Sequence, residues 1–369
     1  MRTCLTPLLL LIATISLYGQ KSPGVYCGTY TSGRSFGIYR ISAFPVPVLK
    51  DSFSASNPSF LAVSPDGNTL YAVHENRDSL NNGGSISAFR IRSGGRLRLV
   101  NTLPVGGNSP CYVSVHPEGR FVYVANYGGG SLAVFGIGKK GRLEGPLQRI
   151  EHSGKSIVEN RQSAPHAHAA VVSPDGDYLL APDLGIDKIM IYRIDRKTGL
   201  LSPGPMPFMP IHAGAGPRHL AFHPSGKFLY LTEELSGTVG VFSYERGTLK
   251  LMQSISTVPE GYGGQFSVAD LHLSPDGKYL YASNRATANN IAIYSVDSSN
   301  GILSVIGYQD VLGTKPRNFM ITPDGKQLWV ANQQSDEVVV FDRDSNTGLL
   351  ADSGKRVAIP SPVCLIWVN

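Results

Sequence analysis

GPRHLAFHPSGKFLYLTEEL, Gly216 to Leu235, reads as a β-hairpin. Leu220, Ala221 and Phe222 form an apolar run, and Phe228 to Leu231 run back. His223-Pro224-Ser225-Gly226 joins them. Proline presets φ, serine supports the bend, and glycine takes the position that needs a positive φ. Charged and titratable side chains sit at the open end only: Arg218 and His219 before the first strand, Glu233 and Glu234 after the second.

The same hairpin recurs. Its turn appears as Ser64-Pro65-Asp66-Gly67, His116-Pro117-Glu118-Gly119, Ser173-Pro174-Asp175-Gly176, Ser274-Pro275-Asp276-Gly277 and Thr322-Pro323-Asp324-Gly325. The turn glycines fall 52, 57, 50, 51 and 48 residues apart. Copies of the returning strand read LYAV, VYVAN, YLLAPD, LYLTEE, LYASN and LWVAN. A third strand alternating in period two follows, in seven copies from FGIYRI to EVVVFDR. Gly/Leu stretches such as GGRLRLV and TGLLSP supply a fourth, outer strand.

Four strands in about 50 residues is the signature of a propeller blade. The first third-strand copy has only VYCGTY before it, and the chain ends in PVCLIWVN, an inner strand with nothing after it. The two ends complete one blade. The expected fold is all-β: a seven-bladed β-propeller closed by pairing of the C-terminal inner strand, around Leu365 to Val368, with Val25 to Tyr30. Closure removes exposed sheet edges. An open β-solenoid gives no reason for complementary half-repeats. The stretch from Lys155 to Ala164 reads as a loop.

The chain has 369 residues, of which 42% are hydrophobic and 16% charged, enough for a large core. Lysine and arginine are scattered over a net charge of +6, which excludes a nucleic-acid footprint and favours small anions. Met1 to Gln20 reads as a secretory signal: Arg2, an apolar run from Leu5 to Leu17, then Tyr18-Gly19-Gln20. The run is too short for a membrane span. The mature propeller is expected at 21–369, exported to the periplasm or the exterior. Cys27, Cys111 and Cys364 have neither disulfide-framework nor zinc spacing.

Registering the copies on the turn proline gathers Cys111, His168, Arg218 and Arg317 at one rim, with His219, Asp270 and Asn318 next in line. After the second strands come His74, Asn126, Asp183 and Glu233, then Glu75, Tyr127, Glu234 and Arg285. A polar cluster at one mouth of a rigid scaffold is where a small-molecule site belongs. His166, His168, Arg218, Glu234 and Arg285 break the repeat there. His116 and His223 stand where other copies carry Ser or Thr and read as turn residues; the turn aspartates read as structural.

PHAHAAVVSPDG from Pro165, GPRHLAFHPSGK from Gly216, EELSGTV from Glu233, ADLHLSPDGKYLYASNR from Ala269 and PRNFMITPDGK from Pro316 together resemble the lactonase family of seven-bladed propellers. That family includes cycloisomerase-2-type 6-phosphogluconolactonases and, distantly, fungal carboxymuconate cyclases. The resemblance implies hydrolysis of a sugar lactone such as 6-phospho-D-glucono-1,5-lactone. It implies catalytic residues at His166 or His168, Arg218, Glu234 and Arg285. Ala269-Asp270-Leu271-His272 is a further family signature. Glu75, Asp183, His219, Asp270, His272 and Arg317 are the expected substrate contacts. The chemistry fits: a histidine near neutral pKa, or Glu234, as base, with arginines for the acid group or the oxyanion. These residues require no metal and no cofactor, and there is no GxSxG elbow. The leader departs from the family's cytosolic members and bears on the substrate more than on the reaction. A secreted binding scaffold, a non-phosphorylated lactone and muconate-type cycloisomerisation are the alternatives.

Overall fold

The computed structural model describes residues 23–77 and 83–368. The leader read at Met1 to Gln20 lies outside them. Seven four-stranded antiparallel sheets are present, as the repeat implies. Numbered from the first complete repeat, blades 1 to 6 are 60–104, 110–151, 171–210, 217–256, 268–310 and 316–358. Blade 7 takes its inner strand, Pro362–Val368, from one end of the chain and Gly24–Thr29, Gly37–Ser42 and Val48–Ser54 from the other. Cys27 pairs with Leu365 and Gly24 with Val368. The closure inferred from the two half-repeats is the one observed.

Burial follows strand position. Second strands such as Thr69–His74 and Phe228–Glu233 are buried at every residue, and Gln327–Asn332 at all but Gln327, because a neighbouring blade covers each face. Outer strands such as Leu97–Pro104 are mostly open to solvent. The core is shared between blades: Tyr71 and Val73 of blade 1 pack with Val113, Val122 and Val124 of blade 2. Each such buried aliphatic side chain contributes roughly 1.5–3 kcal/mol.

The second-strand tyrosines do more than fill space. Tyr71, Tyr123, Tyr230 and Tyr281 donate their hydroxyls to Gly141, Gly199, Gly301 and Gly348 carbonyls in the next blade. Tyr26 does the same to Gly95, tying blade 7 to blade 1. A buried phenol needs such a partner, so these bonds fix each blade against the next.

One rim carries the turns. In blade 1, Ser64 Oγ donates to Asp66, and the Gly67 amide closes the bend at φ 66°. His116 and His223 reach the carbonyls of Gly176 and Gly277 in the next blade's turn, the structural role read for them. The stretch read as a loop from Lys155 to Ala164 differs: it holds an α-helical turn, Glu159–Gln162. Gln162 is buried and donates to Leu184 O and Asp187 Oδ1, which clamps the insert to the rim of blade 3. No helix among the described residues is long and apolar enough to cross a membrane.

Candidate active site

The open ends of the inner hairpins converge on the other end of the channel. The inner strands leave the regular ladder right there. Register shifts fall between Pro110 and Tyr112, Pro217 and Leu220, Val268 and Leu271, and Pro316 and Asn318. Such bulges re-aim side chains away from strict alternation. They hold Cys111, Arg218, His219, Asp270 and Arg317.

A cavity of about 210 Å³ lies at the centre of this rim, and every blade contributes to it. Its walls are Tyr30 of blade 7, Glu75 and Arg77 of blade 1, Cys111 and Tyr127 of blade 2, His168 of blade 3, Glu234 of blade 4, Arg285 of blade 5 and Arg317 of blade 6, with Arg161 from the insert. A cleft of about 380 Å³ on the turn rim is larger, but it is framed by turn residues and exposed charges such as Asp66, Glu118 and Lys140. Converging buried charge, not size, marks the site.

Glu234 is the hub. Its Oε1 accepts from Arg161 Nη2 at 2.7 Å. Its Oε2 lies 2.8 Å from Arg285 Nη2 and 3.0 Å from Arg218 Nε. The Arg218 contact is an ion pair off the N–H axis, since that nitrogen makes no hydrogen bond. Burial pushes the Glu234 carboxyl up, but Arg285, Arg218 and Arg161 outweigh it and hold it well below the usual carboxylate range. Arg218 is driven down to about 9 by burial and by Arg285 and Arg317, and so stays charged at neutral pH. Its Nη1 donates to Ala269 O at 2.6 Å.

Opposite stands a looser pair. Tyr30 Oη donates to Glu75 Oε2 at 2.8 Å, and Arg317 Nη2 is 4.0 Å from the same oxygen. The Arg317 guanidinium lies over the Tyr30 ring, 5.2 Å from its centroid. Burial raises Tyr30 well above the ordinary phenol range, so it remains a donor.

His168 is buried on the cavity wall, its Nδ1 3.8 Å from Cys111 Sγ. Burial first, then Arg218, His219 and Arg317, push it well below the ordinary histidine value. Burial likewise pushes the Cys111 thiol far up, which removes it as a thiolate nucleophile.

Deeper in the channel runs a second network. Asp270 Oδ1 is 2.8 Å from His219 Nδ1, and Oδ2 is 2.9 Å from His272 Nε2. Asn318 also donates to Oδ2, at 2.5 Å. The carboxylate partner puts the proton on His219 Nδ1, and its buried Nε2 has no hydrogen-bond partner among the described residues. Burial and Arg218 lower His219 to about 4. Burial opposes the charged form of Asp270, but His272 and His219 hold it far below the usual range. His272 is lowered by burial and raised more by Asp270.

The structure sorts the residues singled out in the sequence. Glu75, His168, Glu234, Arg285 and Arg317 line one cavity, as the repeat register implies. Arg218 corrects the reading of a rim side chain: it is 1% exposed and packed beneath the wall. The two arginines Arg218 and Arg285 do share an anion, but it is the Glu234 carboxylate. Asp183 is not available to a substrate. It is fully buried, and its oxygens take His152 Nδ1 at 2.6 Å and the amides of His166 and Gly185. His166 lies off the cavity wall; it stacks on Tyr127 and its Nδ1 is held by Tyr127 O at 2.9 Å. His219, Asp270 and His272 form the deeper network rather than cavity walls. Tyr30, Arg77 and Arg161 escaped the sequence reading. Tyr30 follows the second strand of blade 7 as Glu75 follows that of blade 1, but blade 7 takes its inner strand from the other end of the chain and has no turn proline to set a register. Arg77 lies two residues past that position, and Arg161 sits in the insert between blades 2 and 3.

Comparison with known proteins agrees with this architecture. The family model described as "Lactonase, 7-bladed beta-propeller" matches residues 24–367. A Bacillus subtilis 6-phosphogluconolactonase is 34% identical over 355 residues, covering 93% of this chain and 98% of that protein. A Formosa agariphila 6-phosphogluconolactonase is 38% identical over 306 residues, 82% of this chain and 86% of its own. The solved structure of a Pseudomonas aeruginosa periplasmic gluconolactonase superposes with a TM-score of 0.88 at 37% identity, covering 94% of this chain and 99% of that one. By its closed seven-bladed sheet order and by this match along nearly its whole length, the chain belongs to the lactonase family of seven-bladed β-propellers.

Proposed function

We propose that this protein hydrolyses the ring ester of an anionic sugar lactone, as in the opening of 6-phospho-D-glucono-1,5-lactone to 6-phosphogluconate. The observation that carries the reading is the charge of the cavity. Arg77, Arg161, Arg285 and Arg317 line it with only Glu75 and Glu234 against them. Guanidinium groups bind phosphate and carboxylate in bidentate fashion, and in an enclosed site they stabilise a developing oxyanion. Arg285 and Arg161 are the donors for the substrate's charge, released in part from Glu234 as it binds. Arg218 holds Glu234 from below and keeps Arg285 aimed. A water attacks the carbonyl carbon, the carbonyl oxygen takes the negative charge beside an arginine, and the ring C–O bond then breaks. The sugar relatives named in the comparisons support this substrate class. The Pseudomonas protein, named a gluconolactonase, supports the unphosphorylated lactone as the second reading.

Export is part of the same proposal. The leader composition of Met1 to Gln20 supports it, and so does the relative named periplasmic. N-terminal sequencing of protein from its native host tests the cleavage near Lys21. The reaction is tested by following ring opening of phosphorylated and unphosphorylated gluconolactone against the protein-free rate. Acceleration of either supports the reading; acceleration of neither returns the chain to the binding-scaffold class.

A further inference from the structure

We infer that Glu75 is the catalytic base, the group that takes the proton from the attacking water. The inference rests on the lactonase reading above. Three carboxylate or imidazole groups line the cavity: Glu75, His168 and Glu234. Glu234 is engaged at both oxygens by arginines at 2.7 to 3.0 Å, so a proton there competes with three guanidinium groups. Taking a proton there costs three ion pairs at once. His168 is walled in by the rings of Tyr127 and His219, each 5.3 Å away, and its protonated form faces Arg218 and Arg317. His166 is off the wall, with Nδ1 held by a backbone carbonyl.

Glu75 differs in kind. Only Oε2 is engaged, by the Tyr30 hydroxyl at 2.8 Å and more loosely by Arg317 at 4.0 Å. Oε1 has no partner among the described residues. The side chain is 16% exposed, enough to meet a water and enclosed enough to be fixed. Its backbone is pinned, with the amide donating to Asn57 O at 2.9 Å. One oxygen held by a phenol and the other without a partner among the described residues, on a side chain that lines the cavity, is the arrangement a general base needs.

The proton count closes without a co-reactant. Water oxygen bonds to the lactone carbonyl carbon, and one water proton passes to Glu75. The carbonyl oxygen becomes an oxyanion beside the guanidinium groups. As it re-forms the double bond, the ring C–O bond breaks and the leaving oxygen takes the proton back from Glu75. The product is the open hydroxy acid, which ionises to solvent.

The test uses the full chain and gluconolactone, with or without phosphate, whichever the wild type opens. Glu75→Gln keeps the shape and removes the basicity. Its kcat is expected to fall about a hundredfold or more, with KM within about threefold and an unchanged unfolding midpoint. Glu75→Gly is expected to recover rate in proportion to added formate, after subtraction of formate catalysis without protein. A purely structural role does not give that rescue. An active wild type with an active Glu75→Gln overturns this inference and leaves the lactonase reading standing. So does a rise in KM at constant kcat, or a loss that formate does not restore. An inactive wild type overturns both.

Discussion

Arg218 and Glu234 form a buried ion pair: Arg218 Nε lies 3.0 Å from Glu234 Oε2, with side chains 1% and 6% exposed. Both sit at the open end of the hairpin from Gly216 to Leu235, and the ladder shift between Pro217 and Leu220 falls at the arginine. Removing one partner of such a pair leaves the other charge buried. Arg218→Ala is therefore expected to cost roughly 3–5 kcal/mol of stability, read as a fall in the urea midpoint at unchanged slope. An unchanged midpoint contradicts the structural role assigned to Arg218.

Arg161 gives the opposite balance. It binds the same carboxylate at 2.7 Å, but its side chain is 36% exposed and sits on an insert outside the blades. Arg161→Ala is expected to leave the unfolding midpoint within experimental scatter while raising KM about tenfold, because such a partly exposed pair is worth only about 1 kcal/mol or less to folding. Steady-state kinetics beside a thermal scan separates the two effects. A collapse of the fold with unchanged KM contradicts it.

Much of this was legible in the sequence. The turn glycines set the repeat length, the seven third-strand copies set the blade count, and the half-repeats at the two ends set the closure. Register on the turn proline put His168, Arg285, Arg317 and Glu75 on one rim, because a two-residue period and a fixed hairpin length leave little freedom. Direction was not legible. Bulges sit at the rim positions themselves, so repeat position did not tell a cavity wall such as Arg317 from a buried strut such as Arg218. Asp183 and Glu233 share a repeat position and look equivalent, yet both are spent on protein partners: Asp183 on His152, Glu233 on Thr238. Arg161 carried no signal, since an insert has no register to be read against.

The channel network sets a pH dependence. His219 titrates at about 4 when folded, so between there and its unfolded value of 6.5 the unfolded chain holds a proton that the folded one lacks. Stability then rises with pH across that window. From pH 7 to pH 5 this group alone is expected to remove about 2 kcal/mol. His168, also lowered, acts in the same direction. His272, raised by Asp270, acts oppositely: its contribution is full below its unfolded value and is lost as pH rises through the folded one. His219→Asn keeps a donor for Asp270 and is expected to flatten the acid limb in urea titrations at pH 5, 6 and 7. An equally steep limb in the variant assigns the effect to other groups.

Ring closure is testable by deletion. Removing 362–369 strips Gly24–Thr29 of the inner of its two ladder partners and uncovers Val25 and Cys27, both fully buried in the closed ring. An open edge of that kind pairs with other chains. The truncated protein is expected to elute as aggregates with a broadened, less cooperative unfolding transition. A monomer that melts like the full chain contradicts the closure as a stabilising element.

The most direct measurement of the central claim compares initial rates of gluconolactone opening for the wild type, Arg285→Ala and Arg98→Ala, each against the protein-free rate. Arg285 lines the cavity and faces Glu234 at 2.8 Å, while Arg98 is exposed on the outer strand Leu97–Pro104. The wild type and Arg98→Ala are expected to accelerate opening equally. Arg285→Ala, checked for an intact fold by circular dichroism, is expected to lose about a hundredfold or more in kcat/KM. A folded Arg285→Ala that opens the lactone at the wild-type rate contradicts the account and moves the chemistry away from this cavity.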